Sequence, residues 1–359
     1  MEGDAKKRSP VGKMVVALVV VVLLVVVLLM PATQTFLRDN VFGALRPSYS
    51  ESVNLEYQRT ITVTASQGPI QQVSVTIPKA INVSMNGLML QQVHSVISDP
   101  APTSIAYQDG QPILTWEHLN LAQGDSFVIQ INYTETINTT VWTMRSSDSG
   151  TVTQFPLDLQ QRYLGTEWKI MPSDPDVVAL ADSIAAGRTN VFDIQSALYS
   201  WITSNIAYPS SSSTSGAPKD PAETIRTKVG DCDDTAVLFC SMARHLGIPS
   251  WLQLGMLYDR NTGSVGGHGW IQTYIPLAAG GGQYVTIDCV NSEFLIFKAN
   301  RMVDYTDNGN ATDLYNFYFY LSYQSAYDLS FNDRSVMKQY SESPNRVNLS
   351  FEAVIRQLD

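Results

Sequence analysis

The chain has 359 residues, of which 44% are hydrophobic and 16% charged, and its formal net charge is −10. This acidic balance argues against a nucleic-acid partner and against adhesion to anionic lipid through a basic surface. Three cysteines are too few for a disulfide framework, and their odd number leaves at least one free thiol.

An apolar run near the N-terminus predicts a membrane anchor. Residues 14–30 are 17 residues of Val, Leu, Ala and Met without a charge or a glycine, which just reaches across a hydrocarbon core. Basic residues are concentrated before the run, at Lys6, Lys7, Arg8 and Lys13, with only Arg38 and Arg46 soon after it. The positive-inside rule then gives a cytoplasmic tail (1–13), a transmembrane helix (14–30) and an outside linker (31–49).

The alternative to this anchor is a cleavable signal peptide. Its apolar region would be shorter, and small residues would mark its cleavage site. The Met30-Pro31-Ala32 sequence is a poor cleavage site. We therefore expect an uncleaved signal anchor in a single-pass protein of the cell membrane, with an extracellular or otherwise extracytoplasmic main body that contacts the bilayer through 14–30.

The outer part carries five Asn-x-Ser/Thr sequons, which identify candidate glycosylation sites at Asn82, Asn132, Asn138, Asn310 and Asn348. Such tripeptides also arise by chance in a chain rich in Ser, Thr and Asn. The sequons favour an extracytoplasmic glycoprotein without establishing one.

Residues 50–145 predict an all-β, sandwich-like domain. Alternating or β-branched runs begin at Leu55, Gln71, Pro112 and Ser126, and they are separated by the turns QGP, DGQP and QGD. Nothing in this domain resembles a chemical site. A spacer or packing partner is therefore favoured over a binding module.

Helical periodicity begins near Asp174. One helix should end at Gly187, and a second should occupy 191–206 with a continuous apolar stripe. A loop rich in Ser and Gly follows at 208–219, either as a lid over a site or as a disordered surface connection. Asp220, Pro221 and Glu223 then predict a helix start close to a capping box.

A cysteine stands where the next loop enters a helix. Asp231 or Cys232 is a plausible N-cap, and Thr235 to Leu246 has helical spacing before Gly247 ends it. The positive end of a helix favours a thiolate. Asp233 and Asp234 oppose this effect, and the sign of the sum cannot be read from the sequence.

A histidine and an aspartate follow in a predicted hairpin. His268 opens the strand-like GWIQTYIP, and YVTID, which ends at Asp288, reads as the strand that returns after a turn at 280–282. His268 and Asp288 could then be neighbours, with the carboxylate fixing the imidazole tautomer that accepts the Cys232 proton. The order Cys232, His268, Asp288 thus suggests a catalytic triad.

These residues resemble the transglutaminase-like superfamily, whose papain-like core carries Cys, His and Asp in this order. The family's helix pattern, G-x-C-x-D/E-x-A followed by R-x-x-G-I-P, matches Gly230, Cys232, Asp234, Ala236, Arg244, Gly247, Ile248 and Pro249. Its His-x-Trp matches His268 and Trp270, and its strand aspartate matches Asp288. Two positions depart from the pattern: Trp251 stands where many members have arginine, and Cys289 where proline is common. The match covers roughly residues 160–300.

The resemblance implies an α+β fold, with a transglutaminase-like (papain-like) core at 155–304 preceded by the all-β domain and the single N-terminal helix. Its activity would be that of a cysteine protease, an amidase or a protein-glutamine acyltransferase: a hydrolase or transferase acting on protein or peptide amides at the cell surface through a Cys232 thioester. Tyr208, Trp251 and Trp270 are candidates for the substrate groove, or packing residues. No metal or organic cofactor is implied.

Two other readings of the core stay open: a catalytically inactive transglutaminase-like binding module, and a structural surface protein. Cys240 and Cys289 read as small buried residues, with a bridge between them as the less favoured alternative. The tail at 305–359 should be a C-terminal extension packing on the core. Within it, LYNFYFYLSY predicts a strand or a packing helix, and the last residues an edge strand followed by a short helix.

Overall fold

The computed structural model describes Met30 and residues 48–209, 218–310 and 313–349. The predicted tail 1–13, the predicted span 14–30 apart from Met30, and most of the linker 31–49 lie outside these residues, as does the final segment 350–359. Within the described ranges no helix combines the length and the apolar character needed to cross a bilayer. Residues Tyr49–Val347 belong to one compact unit, and a second unit, Met1–Ser48 with Asn348–Leu358, lies almost wholly outside the description.

The described ranges contain five α-helices, in chain order α1 Leu157–Tyr163, α2 Pro175–Ala185, α3 Val191–Asn205, α4 Pro221–Thr227 and α5 Cys232–His245. Short 3₁₀ turns occupy Ser146–Asp148, Val152–Gln154 and Leu314–Phe317.

The strands are numbered in the same way: β1 Ser48–Ser50, β2 Ser52–Thr64, β3 Ile70–Pro78, β4 Val83–Met85, β5 Leu88–Asp99, β6 Ser104–Gln108, β7 Gln111–Leu121, β8 Ser126–Asn138, β9 Thr140–Val141, β10 Ser250–Asp259, β11 Ser264–Pro276, β12 Gly282–Asp288, β13 Glu293–Phe294, β14 Ile296–Phe297, β15 Arg301–Thr306, β16 Tyr320–Gln324, β17 Ser330–Glu342 and β18 Arg346–Asn348.

The region before residue 145 is built of antiparallel strands, as its alternating sequence predicts. Strands β2 and β8 pair over their whole lengths, and every second residue of each is buried. A second sheet has the order β16-β3-β7-β6. Because strand side chains alternate between faces, this period-2 burial places one apolar face of each strand in the core.

One sheet joins the β-rich region to the segment that carries the histidine. Strand β17 pairs with β2 along its length, and at Ser335 and Val336 it also pairs with the start of β11. Strand β11 pairs with β10 on its other edge and with β12 beyond Ile271. The predicted domain divisions at 145 and 304 therefore stay predictions, while the C-terminal strand β17 connects the two regions.

The helices pack on this sheet through α5. All residues of α5 from Asp234 to Arg244 are buried, and the helix contacts β10 and β11 as well as α2, α3 and α4. The start of α4 corrects one expectation, because the Asp220 side chain makes no cap hydrogen bond. Its carboxylate instead forms an ion pair with Lys169 at 2.5 Å. Pro221 still occupies the first turn, so the helix begins where its fixed φ favours it.

Candidate active site

Cys232 is the first residue of α5, at the end where helix N–H groups are unpaired. Asp231 is the N-cap, and its carboxylate accepts from the backbone N–H of Asp233 at 3.2 Å and of Asp234 at 3.1 Å. Asp234 returns the contact by accepting from the Asp231 N–H at 3.2 Å, which completes a capping box. The cap fixes the direction in which the Cys232 side chain leaves the helix.

Asp234 also anchors the chain that leads into α4. Its buried carboxylate accepts from the backbone N–H of Lys219 at 2.7 Å and from the Lys219 ammonium at 2.6 Å. The serine-rich segment 210–217 ends just before this anchor, and its structure lies outside the described residues. The lid hypothesis for 208–219 therefore stays a prediction.

His268 and Asp288 form the buried pair that the hairpin suggested. The His268 Nε2 lies 2.8 Å from Asp288 Oδ2, and the two side chains are 5% and 2% exposed. Asn291 donates to the same carboxylate at 2.8 Å, and the buried Arg301 guanidinium forms an ion pair with it. Within the described chain His268 Nδ1 has no hydrogen-bond partner, which leaves that nitrogen free to act as a base.

The side chains around Asp288 keep its carboxyl ionised. Burial alone would raise the pKa of this carboxyl, but the interactions with His268 and the Arg301 guanidinium, including their hydrogen bonds, outweigh it and hold the pKa well below its usual range. Asp288 is therefore a carboxylate at any pH at which the protein would work, as the orienting member of a triad must be.

The Cys232 thiol contacts the carboxylate of Asp233. Its Sγ lies 3.8 Å from Asp233 Oδ1. Across the described residues the thiol makes no hydrogen bond to His268 itself. Burial and the Asp233 charge raise the pKa of the thiol well above its ordinary value, and the Gly269 N–H only partly offsets them. The pKa of the thiol is therefore shifted upward, a direction that could not be read from the sequence.

A cavity of about 270 Å³ opens beside the thiol. Its lining comes from six parts of the chain: Arg59 of β2, Tyr208, the start of α5, Met256 of β10, the Gly-rich start of β11, and the C-terminal segment with β17. Tyr208 is 58% exposed and has the position of a groove wall. Arg59 and Asp333 form an ion pair at the cavity wall, with atoms 2.6 Å apart.

The two tryptophans predicted as groove residues are not brought to this cavity. Trp270 is fully buried, and its indole N–H donates to Gln253 at 2.9 Å. Trp251 stacks on Tyr163 with ring centroids 4.3 Å apart and lines a separate cavity of about 610 Å³. Their substrate role stays a prediction, while the structure gives both of them packing contacts.

The candidate glycosylation sites lie mostly at the surface, and the two other cysteines lie in the core. Four sequon asparagines (Asn82, Asn132, Asn310 and Asn348) are exposed, and Asn138 is half-buried. Whether any of the five carries a glycan stays a prediction. All three cysteines are free thiols in the structure, and Cys240 and Cys289 are buried.

Three residues that contact Asp288 or Asp233 were not predicted from the sequence. Asn291 follows Asp288 by three residues in a turn, and Arg301 is one arginine in an apolar stretch, which is a weak signal for a buried partner. Tyr318, whose hydroxyl donates to Asp233 at 2.7 Å, stands in an aromatic run that gave no indication of a role.

A protein-family model matches the part of the chain that carries the three candidate catalytic residues. Residues 178–289, which include Cys232, His268 and Asp288, match the model of the Transglutaminase-like superfamily. A crystal structure of a candidate cysteine protease from Cytophaga hutchinsonii resembles the chain with a TM-score of 0.55 at 17% identity, over 84% of this chain and 93% of that one. This likeness shows a shared fold.

The periplasmic domain of TgpA from Pseudomonas aeruginosa matches at 15% identity over 70% of this chain and 91% of that one, with a TM-score of 0.34. No curated protein matches the sequence.

Proposed function

We propose, since residues 178–289 form a transglutaminase-like domain, that this chain is a thiol enzyme that acts on protein or peptide amide bonds through a thioester on Cys232. The observation that carries the proposal is the buried His268–Asp288 pair, 2.8 Å between Nε2 and Oδ2, with His268 on the strand whose Gly-rich start lines the same cavity as Cys232. An imidazole held in this way is a general base, and a cysteine at a helix start is a nucleophile.

The reaction is an acyl transfer in two steps. His268 Nδ1 takes the thiol proton, the sulfur attacks the amide carbonyl, and the imidazolium gives the proton to the leaving amine or ammonia. The thioester then passes its acyl group to water, which gives hydrolysis, or to an amine, which gives a new amide. Asp288 keeps the imidazolium oriented and stabilises its charge.

The backbone N–H of Cys232, at the start of α5, would serve as one donor of an oxyanion hole. Asp231 caps the N–H groups of Asp233 and Asp234 and leaves that of Cys232 uncapped within the described residues. A backbone N–H at this end of a helix suits the negative charge that develops on the carbonyl oxygen.

The setting of the enzyme is part of the proposal. The apolar run 14–30 would anchor it in a cell membrane with the tail 1–13 in the cytoplasm, and the catalytic domain would act outside on protein or peptide substrates. Residues 50–145 would form a sandwich-like spacer, and the exposed sequons would carry glycans. The support for this setting is the sequence pattern alone.

A binding module without turnover is the second candidate, because the thiol contacts Asp233 and not His268 in the structure. In that case the groove would hold a ligand while the sulfur stayed inert.

Iodoacetamide alkylation of Cys232 in the full chain separates the two. Mass spectrometry of the digest resolves Cys232 from the buried Cys240 and Cys289, which serve as internal controls. If His268 is the base, His268→Ala should lower the Cys232 rate at pH 7 by about 10²-fold, the lower end of general-base effects. His245→Ala is the matched control, because His245 lies at the far end of the same helix and bonds to Asp182. Equal rates in all three proteins would contradict the enzyme and favour the binding module.

A further inference from the structure

The Cys232 thiol lies beside the carboxylate of Asp233, which takes no part in the proposed acyl transfer. Asp233 Oδ1 lies 3.8 Å from Cys232 Sγ and accepts from the Tyr318 hydroxyl at 2.7 Å. The Tyr318 carbonyl accepts in turn from the buried Arg59 guanidinium at 2.8 Å. Both ends of Tyr318 are thus held, one by a strand of the β-rich region and the other by the cysteine helix.

The close approach of this pair depends on a missing side chain. A Cβ on Gly269 would lie 2.5 Å from Asp233 Oδ1 and 2.9 Å from the Tyr318 hydroxyl oxygen. Real Cβ atoms do not approach so closely, so only glycine at this position of β11 lets the two side chains meet beside the sulfur.

The charges around the thiol follow from this packing. Burial raises the pKa of Asp233 to about 6, the Tyr318 hydrogen bond and His268 oppose that rise, and Asp231 and Asp234 add to it. At pH 7 Asp233 is therefore mostly charged, and its charge disfavours a second negative charge on the sulfur. The ionisable groups that face the pair from the surrounding elements are Asp231, Asp234, Lys219, Tyr208, His268, Asp288, Arg59 and Asp333.

We infer that Asp233 and Tyr318 form a brake on the proposed enzyme: the Asp233 carboxylate keeps the proton on the Cys232 sulfur, and Tyr318 keeps the carboxylate against the thiol. Both are positioning residues, since neither reacts with the amide. The inference rests on the proposed function, because a brake has a purpose only if the thiolate is the reactive form. Loss of the Asp233 charge then releases the nucleophile.

Asp233→Asn tests the brake in the full chain with the same alkylation assay from pH 5 to 9. The substitution keeps the shape and removes the charge, so the Cys232 profile should move about one pH unit lower and the rate at pH 7 should rise about tenfold. Glu223→Gln, which removes an exposed charge from α4 without touching the thiol, is the matched control and should leave the profile in place. A residue with only a structural role would slow alkylation or leave its pH dependence unchanged.

Tyr318→Phe gives a second, independent readout. Without its hydrogen-bond donor the pKa of Asp233 rises, so the carboxyl stays neutral to a higher pH. Faster alkylation should therefore appear between about pH 6 and 7 and vanish above about pH 8, where Asp233 is charged in both proteins. Thermal unfolding shows which variants are folded, and Tyr318→Phe carries the test if Asp233→Asn does not fold.

The two proposals fail differently. An unmoved profile in Asp233→Asn or Tyr318→Phe, with the dependence on His268 intact, overturns the brake and leaves the enzyme. A wild-type rate that ignores His268 overturns the enzyme itself.

Discussion

At the scale of single residues, the site is organised around the carboxylate of Asp288. His268, Asn291 and Arg301 all contact it, and Arg301 also forms an ion pair with the buried Glu293. Arg301 is fully buried and its guanidinium lies 5.8 Å from the Trp270 ring. The arginine therefore balances two buried carboxylates, and losing it would leave Asp288 with His268 and Asn291 alone and Glu293 with Lys298 alone.

Arg301→Met should destabilise the fold by about 3–5 kcal/mol, the range for breaking a buried ion pair by removing one partner. Denaturant unfolding of the full chain measures it. Arg260→Met is the matched control, because Arg260 is exposed and its ion pair with Glu342 is a surface pair worth about 0–1 kcal/mol. If both variants lost the same stability, the assignment of Arg301 as the counter-charge would be wrong.

At the scale of elements, a buried acid lies where strand β15 packs against the β-rich region. Asp304 is 4% exposed, and its Oδ1 has no hydrogen-bond partner in the described chain. Burial raises the pKa of Asp304 to about 7, although Arg59 opposes the rise. Glu135 on β8 is also buried without a hydrogen-bond partner among the described residues, and burial raises the pKa of its carboxyl well above its ordinary value.

The raised pKa of Asp304 makes the free energy of unfolding depend on pH. The folded state holds the Asp304 proton more tightly than the unfolded chain, so its contribution is full below about pH 4 and is lost as the pH rises through about 7. Asp304→Asn removes this loss, and its stability relative to wild type should rise by about 2–3 kcal/mol between pH 5 and pH 8. Unfolding curves at the two pH values check this, with the exposed Asp125→Asn as a control expected to show no change. A difference that falls with pH would contradict the raised pKa.

Elements with a clear period were predictable, and the others were not. The alternation of β2 and β8 and the stripe of α3 gave their positions because one face of each is buried and the other is not. Strand β10 was missed because its first seven residues are all buried, which erases the alternation. Strand β17 was missed because its sequence, SFNDRSVMKQYSE, is polar on one face and only half-buried on the other.

At the scale of the whole molecule, the three chemical residues were predictable from local motifs, but the residues around them were not. Cys232, His268 and Asp288 lie within 57 residues of chain, so local motifs locate them. Tyr318 and Arg59 come to the site from segments 86 residues after Cys232 and 173 before it (318 − 232 and 232 − 59). Arg59 lies near the start of β11 because β17 pairs with both β2 and β11, and no local pattern encodes that pairing.

The whole-molecule claim is that this chain moves acyl groups through Cys232, and hydroxylamine trapping tests it most directly. Full chain is incubated with a mixed peptide digest and hydroxylamine, which intercepts a thioester whether the natural acceptor is water or an amine. Mass spectrometry should find peptides converted to hydroxamates by wild type and none above background with Cys232→Ala, while Cys240→Ala retains the conversion if it folds. Hydroxamates formed equally by wild type and Cys232→Ala, or by neither, would contradict the account.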